Sequence, residues 1–111
     1  MTSFSPGDII LVPFPFSNLS GEKKRPALVL AVAERWGELV CVMLTSSPKG
    51  RSEVPLKQWK EAGLPKPTVA RVHRFFAIEE RIVIKKLGKA ELEDFKEILS
   101  SVVAALVRGR I

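Results

Sequence analysis

Apolar runs alternate with turn-forming residues along the first half of the chain. "GDIILVPF" opens with a short strand expected over roughly 8–12, since an unbroken apolar run of this length suits an extended segment covered on both faces. Pro13 and Pro15 follow. Proline supplies no N–H to a ladder, so the two are expected to end any central pairing there. "FSNLSGEKK" is polar and contains glycine, which predicts a loop. "RPALVLAVA" predicts a second strand, "ERWGE" a turn in which Gly37 can take a positive φ, and "LVCVMLTS" a third strand buried on both faces. Two such runs around a tight turn form an antiparallel hairpin.

In the second half, "SPKGRSE" predicts a loop, "VPL" a short strand and "KQWKEAGL" a turn or two of helix. "TVARVHRFFAI" alternates Val69, Arg71 and His73 against Ala70, Val72 and Arg74 until two phenylalanines break the pattern. "RIVIKKLG" predicts a further strand ended by Gly88. "KAELEDFKEILSSVVAALVRG" is the one clear helix, with Leu92, Phe95, Leu99, Val102 and Leu106 on one face and Ile98 and Val103 beside them. Its acids lie in the first turns, where the macrodipole favours them, and Gly109 can end it. Many short strands followed by one packing helix indicate a mainly β fold, a small, strongly bent sheet or barrel with the helix laid on it.

At 111 residues the chain is expected to form one domain over 1–111, large enough for its own core. It is 46% apolar and 27% charged, a soluble globular balance. No apolar run reaches bilayer length, and "MTSFSPGD" lacks the order of a signal peptide, so a cytoplasmic protein with no membrane partner is expected. Cys41 is alone in "LVCVML" and is expected to be a buried structural thiol. The net charge is +6. Lys89, Lys96, Arg108 and Arg110 are balanced by Glu91, Glu93, Asp94 and Glu97, so the whole excess lies in residues 1–88. A basic body suits a polyanion such as nucleic acid, and serves solubility equally well.

One histidine and one cysteine leave no His-based or thiolate metal cluster, and no glycine-rich phosphate loop follows a strand. No cofactor or metal is expected. What remains is a set of polar groups at strand ends. Arg25 begins the second strand, and Thr45 and Ser46 end the third. Pairing through the turn near Trp36–Gly37 sets Arg25 against positions near 46–48, which brings Arg25, Thr45 and Ser46 to one end of the hairpin. A guanidinium beside a hydroxyl recognises phosphate, and it can stabilise charge growing on a phosphorane as a 2′-OH attacks. The same residues also fit a local salt bridge and an ordinary strand end.

"GDIILVPFPFSN", "KRPALVL", "LTS" and "GL…TVARVHRFFAI", then a glycine and an amphipathic helix, appear in that order. Over essentially Pro6 to Val107 the chain resembles the PemK/MazF-type toxins, the endoribonuclease half of type II toxin–antitoxin systems. The resemblance implies an SH3-like, CcdB-type barrel with a C-terminal helix, assembled as a homodimer. It implies metal-independent, sequence-specific cleavage of single-stranded RNA (mRNA) through a 2′,3′-cyclic phosphate. It also implies a cognate antitoxin whose disordered acidic segment crosses the RNA site, with DNA contacted only through the toxin–antitoxin complex. The family's catalytic arginine maps onto Arg25 and its strand-end hydroxyl onto Thr45, with Ser46 adjacent. Two alternatives stay open: a non-catalytic module binding antitoxin or nucleic acid, and a CcdB-like gyrase poison.

Many relatives carry an acid or amide followed shortly by "RT" where this chain has His73, Arg74, Phe75 and Phe76. An imidazole can carry protons near neutral pH, so His73 is the candidate substitute, with a plain packing or surface role as the alternative. Phe14 and Phe16 are candidate base platforms or core residues. Ser17, Asn18, Lys23 and Lys24 belong to the loop that the resemblance places over the RNA groove. Lys49, Arg51, Arg71 and Arg74 extend the basic surface. Trp36 and Trp59 are candidate antitoxin anchors, Trp36 at the hairpin tip being the better placed, and Arg25, on a face with Lys23 and Lys24, is a further candidate antitoxin contact.

Overall fold

A computed structural model describes residues 3–14, 23–50 and 52–111. The elements are β1 (Asp8–Phe14), β2 (Lys23–Ala33), β3 (Glu38–Thr45), β4 (Glu53–Pro55), β5 (Val69–Glu79), β6 (Lys85–Lys89) and α1 (Leu92–Arg108). The strands form one antiparallel sheet in the order β4-β5-β3-β2-β1-β6. Over the described residues the molecule is therefore mainly β with one α-helix, at its C-terminal end. The β2–β3 hairpin turns through a one-turn 3-10 helix, Glu34–Trp36, with Gly37 left-handed at φ 66. A second such turn, Glu80–Ile82, occupies the start of "RIVIKKLG", so that strand begins at Lys85. "KQWKEAGL" makes only turns, closed by Ala62 N–H to Gln58 C=O at 3.1 Å and Leu64 N–H to Trp59 C=O at 3.0 Å.

The strands are apolar along their length because the sheet is packed on both faces. Ile9, Leu28, Val42, Leu44, Ala70 and Val72 meet Ile98, Val102 and Ala105 of α1. Ile10, Val12, Ala27, Val29, Cys41, Met43 and Ile78 form the core on the other face. Each fully buried Ile or Leu contributes about 1.5–3 kcal/mol. The buried stripe of α1 is rotated from the expected one: Ile98, Val102 and Ala105 are buried, while Leu92 is 63% and Leu106 53% exposed. Asp94 anchors the rotation. Its buried carboxylate accepts the N–H groups of Lys57 at 3.1 Å and Gln58 at 2.9 Å, a satisfied polar group at the head of the core-facing stripe.

The open seam between β6 and the β4–β5 side is bridged by the 56–64 segment. Leu56 N–H reaches Thr68 C=O at 3.0 Å, and Lys89 N–H reaches Ala62 C=O at 3.1 Å. Two glycines permit this approach. Gly63 has φ +94, and a Cβ on Gly88 would stand 1.9 Å from the Ala62 carbonyl oxygen.

Prolines shape the opposite seam. β1 runs beyond the expected stop, with Pro13 opposite Lys24 and Phe14 opposite Lys23. Leu11 C=O accepts Ile84 N–H on the β6 side, and strand alternation turns the Pro13 nitrogen the same way. The β6 ladder ends at Leu11↔Lys85, where the next donor on that side is missing, while the pairing with β2 continues. Pro13 thus ends pairing on one side only. Pro26 does the equivalent for β2. Val29 C=O faces Gly7 N–H beside β1, which turns the Pro26 nitrogen toward β3, and that ladder ends at Ala27↔Met43.

Candidate functional site

The β2–β3 register passes through an irregularity at Leu30 and then pairs Val29 with Cys41, Leu28 with Val42 and Ala27 with Met43. Continued by two residues, it sets Arg25 opposite Thr45 rather than the expected 46–48. The displacement comes from that bulge, which removes one residue from the simple count outward from the turn. Pro26 holds Arg25 in extended backbone, and the interrupted ladder leaves a gap between the two strand ends. A groove of about 370 Å³ opens there, lined by Phe14, Arg25, Thr45, Lys49, Arg71 and Arg74, with Met43, Leu44 and Ser47. Among the described residues that line it, four are cations and none is a carboxylate. Arg74 stacks over the Phe14 ring at 5.5 Å from its centroid.

Thr45 Oγ1 accepts the Ser47 N–H at 3.0 Å. This local turn fixes the hydroxyl oxygen and leaves its own proton to donate to an anion. Ser46 faces a neighbouring hollow, also about 370 Å³, that shares Arg25, Thr45, Leu44 and Ser47 with the groove and adds Lys24, Pro65, Lys66 and Thr68. Arg25 and Thr45 therefore stand on the ridge between two concavities.

β5 reaches the site through a break in its pairing. Val42 is opposite Phe75, yet Leu44 is opposite Ala70, so residues 71–74 are taken up by a bulge facing Met43. Ala70 and Val72 lie in the helix-side core, and Phe76 and Ile78 in the other. The alternation changes phase within Arg71–Arg74, before the phenylalanines that were expected to break it. A bulge of this kind re-aims side chains, and it sends Arg71 and Arg74 into the groove. His73 is exposed and lies apart from Arg25, in a hollow lined with Lys49, Ser52, Arg71 and Ile111.

Glu53, which contacts two residues of the groove lining, Lys49 and Arg71, is a residue that sequence reasoning missed. Its side chain is 4% exposed and accepts Lys49 N–H at 2.8 Å and Gly50 N–H at 2.7 Å. Those bonds, with the Lys49 N–H foremost and the Arg71 charge adding to them, hold its carboxyl below the usual glutamate range. Arg71 Nε lies 3.5 Å from Glu53 Oε2, a charge contact too long to be a good hydrogen bond. Glu53 therefore folds the loop that carries Lys49. Ser52, at φ 51, takes the strained conformation which that folding requires. The "KGRSE" spacing, an acid three residues after a glycine, was the available signal.

Phe16, Ser17, Asn18 and Arg51 lie outside the described residues. Lys23 and Lys24 are exposed at the start of β2. Trp36 is 71% exposed at the far end of the hairpin, about 25 Å from Arg25 at strand rise. Cys41 is buried, and burial pushes its thiol to about 12, which rules out a thiolate nucleophile near neutral pH. Among the described residues, no group of three or more His, Cys, Asp and Glu side chains is placed to hold a metal ion.

The family described as PemK-like, MazF-like toxin of type II toxin–antitoxin systems matches residues 5–106. The chain belongs to that family. Compared by sequence alone, no curated protein matches this PemK/MazF-like chain. By structure it is similar to MazF from Deinococcus radiodurans, with a TM-score of 0.74 at 24% identity over 94% of this chain and 96% of that one. It is also similar to an endoribonuclease in complex with its cognate antitoxin from a mycobacterial species, with a TM-score of 0.75 at 14% identity over 95% and 96%. The toxin MazF-mt6 from Mycobacterium tuberculosis gives 0.70 at 17% over 94% and 98%. At these identities the likenesses establish the shared fold of the PemK/MazF-like toxins.

Proposed function

We propose that this PemK/MazF-like toxin is a sequence-specific endoribonuclease that acts on single-stranded RNA in the cytoplasm and is held in check by a cognate antitoxin. The observation that carries the reading is the placement of Arg25 opposite Thr45 across an interrupted ladder, in a groove lined otherwise by Lys49, Arg71 and Arg74. RNA supplies its own nucleophile. The 2′-oxygen attacks the adjacent phosphorus, the P–O5′ bond breaks, and the products are a 2′,3′-cyclic phosphate and a 5′-hydroxyl. Arg25 is suited to the charge that grows on the non-bridging oxygens. Thr45, its oxygen fixed by Ser47 N–H, is suited to donate its proton to one of them. The reading includes a two-fold homodimer, and an antitoxin whose acidic segment competes for the cationic groove.

The test is to incubate the purified protein with a long RNA in EDTA and map the 5′ ends of the products. Discrete 5′-hydroxyl ends at a recurring short sequence are expected. Intact RNA, or cleavage of a substrate with a 2′-deoxy sugar at the cut position, counts against the reading. Two observations favour a second reading, a toxin-fold module that binds without cleaving: among the described residues no carboxylate lines the groove, and His73 lines a different hollow. Tight RNA binding with no product at any pH supports that alternative.

A further inference from the structure

A further concavity, of about 440 Å³, adjoins the site and is not used by the cleavage chemistry. Its walls are mostly apolar and stiff: Trp59, Pro55 and Pro67, with Pro48, Leu56 and Val69. Lys57 and Lys66 are also among its lining, and no acid among the described residues lines it. Ser46, Lys66 and Thr68 also line the hollow that holds Arg25 and Thr45, so the two are continuous. We propose that this cleft is a base-binding subsite, in which an unpaired nucleobase next to the scissile phosphate stacks against Trp59. The proposal rests on the endoribonuclease reading of the neighbouring site.

The platform is built before any ligand arrives. Trp59 is half-buried, with part of its ring against the helix-side core. Its carbonyl accepts Leu64 N–H at 3.0 Å, and the preceding residues are pinned through Lys57 and Gln58 N–H to the buried Asp94. A preorganised aromatic loses little freedom on binding. Lys60 Nζ stands 5.6 Å from the ring centroid, so a cation already uses the ring. A phosphate held between Arg25 and Thr45 brings its flanking bases with it, each within one sugar of the phosphorus. In single-stranded RNA those bases find apolar cover on aromatic side chains. The Trp59 cleft offers such cover beside Ser46, with lysines in its lining for the next phosphates. An apolar side chain of an acidic antitoxin segment is the competing occupant.

The experiment uses an RNA spanning the mapped cut site, kept intact by a 2′-deoxy sugar there, with each flanking base removed in turn to leave an abasic sugar. Affinity is measured for the natural protein and for Trp59→Ala. One abasic position is expected to weaken binding to the natural protein about tenfold, the scale of one lost base stack, and to have no further effect on Trp59→Ala. Equal abasic effects in both proteins at every position overturn the subsite. Because Trp59 also touches the core, a second measurement avoids truncating it. In Trp36→Phe, Trp59 is the sole tryptophan, and RNA should quench its emission while the abasic RNA quenches less. Emission indifferent to RNA but altered by the antitoxin's acidic peptide assigns the cleft to the peptide and overturns the proposal. Cleavage of RNA without coupling to Trp59 removes the subsite and leaves the endoribonuclease reading standing. Coupling without cleavage does the reverse.

Discussion

Arg25 and Thr45 show how much of a site can rest on two side chains placed by backbone. Arg25→Ala should lower RNA cleavage by about two orders of magnitude or more, the scale of losing one oxyanion donor. Arg25→Lys should rescue poorly, since a point charge does not reproduce a planar fork. Thr45→Val keeps the shape and deletes the hydroxyl, so the unfolding midpoint should hold while the rate falls. Initial rates and thermal melts on the same preparations decide these outcomes. Asp8 carries the comparable argument for stability. It is buried, and burial alone raises a carboxyl. The Ser5 N–H at 2.9 Å, with Lys86 at 3.2 Å and Lys89 at 3.3 Å, outweighs that and holds it below its ordinary value of 3.8. A lowered native pKa gives stability that is full above the ordinary value and is lost as pH falls through the native one. Asp8→Asn should therefore cost most near pH 7, and its gap from the natural protein should close as pH drops below about 4, as read by urea unfolding at several pH values.

At the scale of elements, the seam between β6 and the 56–64 segment is a close backbone approach with no room for a side chain at Gly88. A methyl at Gly88 meets a carbonyl oxygen rather than a flexible side chain. Gly88→Ala should cost about 3 kcal/mol or more, at the upper end of overpacking, and urea titration measures it. The strands were legible because runs apolar on both faces are what a sheet with two cores requires, as in "LVCVML". The helix end was legible too, with Gly109 left-handed at φ 74. The bulge at 71–74 was not, because counting alternate residues assumes a regular pleat, and only the partner strand reveals where the phase changes. The side on which Pro13 interrupts pairing was hidden for the same reason: it depends on where β6 stops. Glu53 read as surface charge, since nothing local says that its oxygens meet the Lys49 and Gly50 amides. The helix stripe was misplaced because Asp94 counted as polar, although two backbone donors make it a core residue.

For the molecule as a whole, the net charge of +6 acts through its distribution. Arg25, Lys49, Arg71 and Arg74 line one groove, while the acids of α1 lie elsewhere in the chain. Single-strand binding that neutralises about four phosphates should weaken with a log–log salt slope of about −3. Lys49→Ala should reduce that slope by about 0.7 without changing which sequence is preferred. Fluorescence titrations between low and moderate salt give the slope. A flat response places the RNA on another surface.

Pro13 and Pro26 each withhold a donor from a seam at the same end of the sheet, and there the strands stay parted. This sets up a trade-off for anyone engineering the protein. At Pro26 a residue with an N–H would let β2 close onto β3 for one more pair, drawing Arg25 and Thr45 together and narrowing the groove. Pro26→Val should show slower amide exchange at the end of β3 together with weaker cleavage. Selection for thermal robustness alone would then tend to disarm the toxin, by completing a ladder that the proposed chemistry requires to stay unfinished.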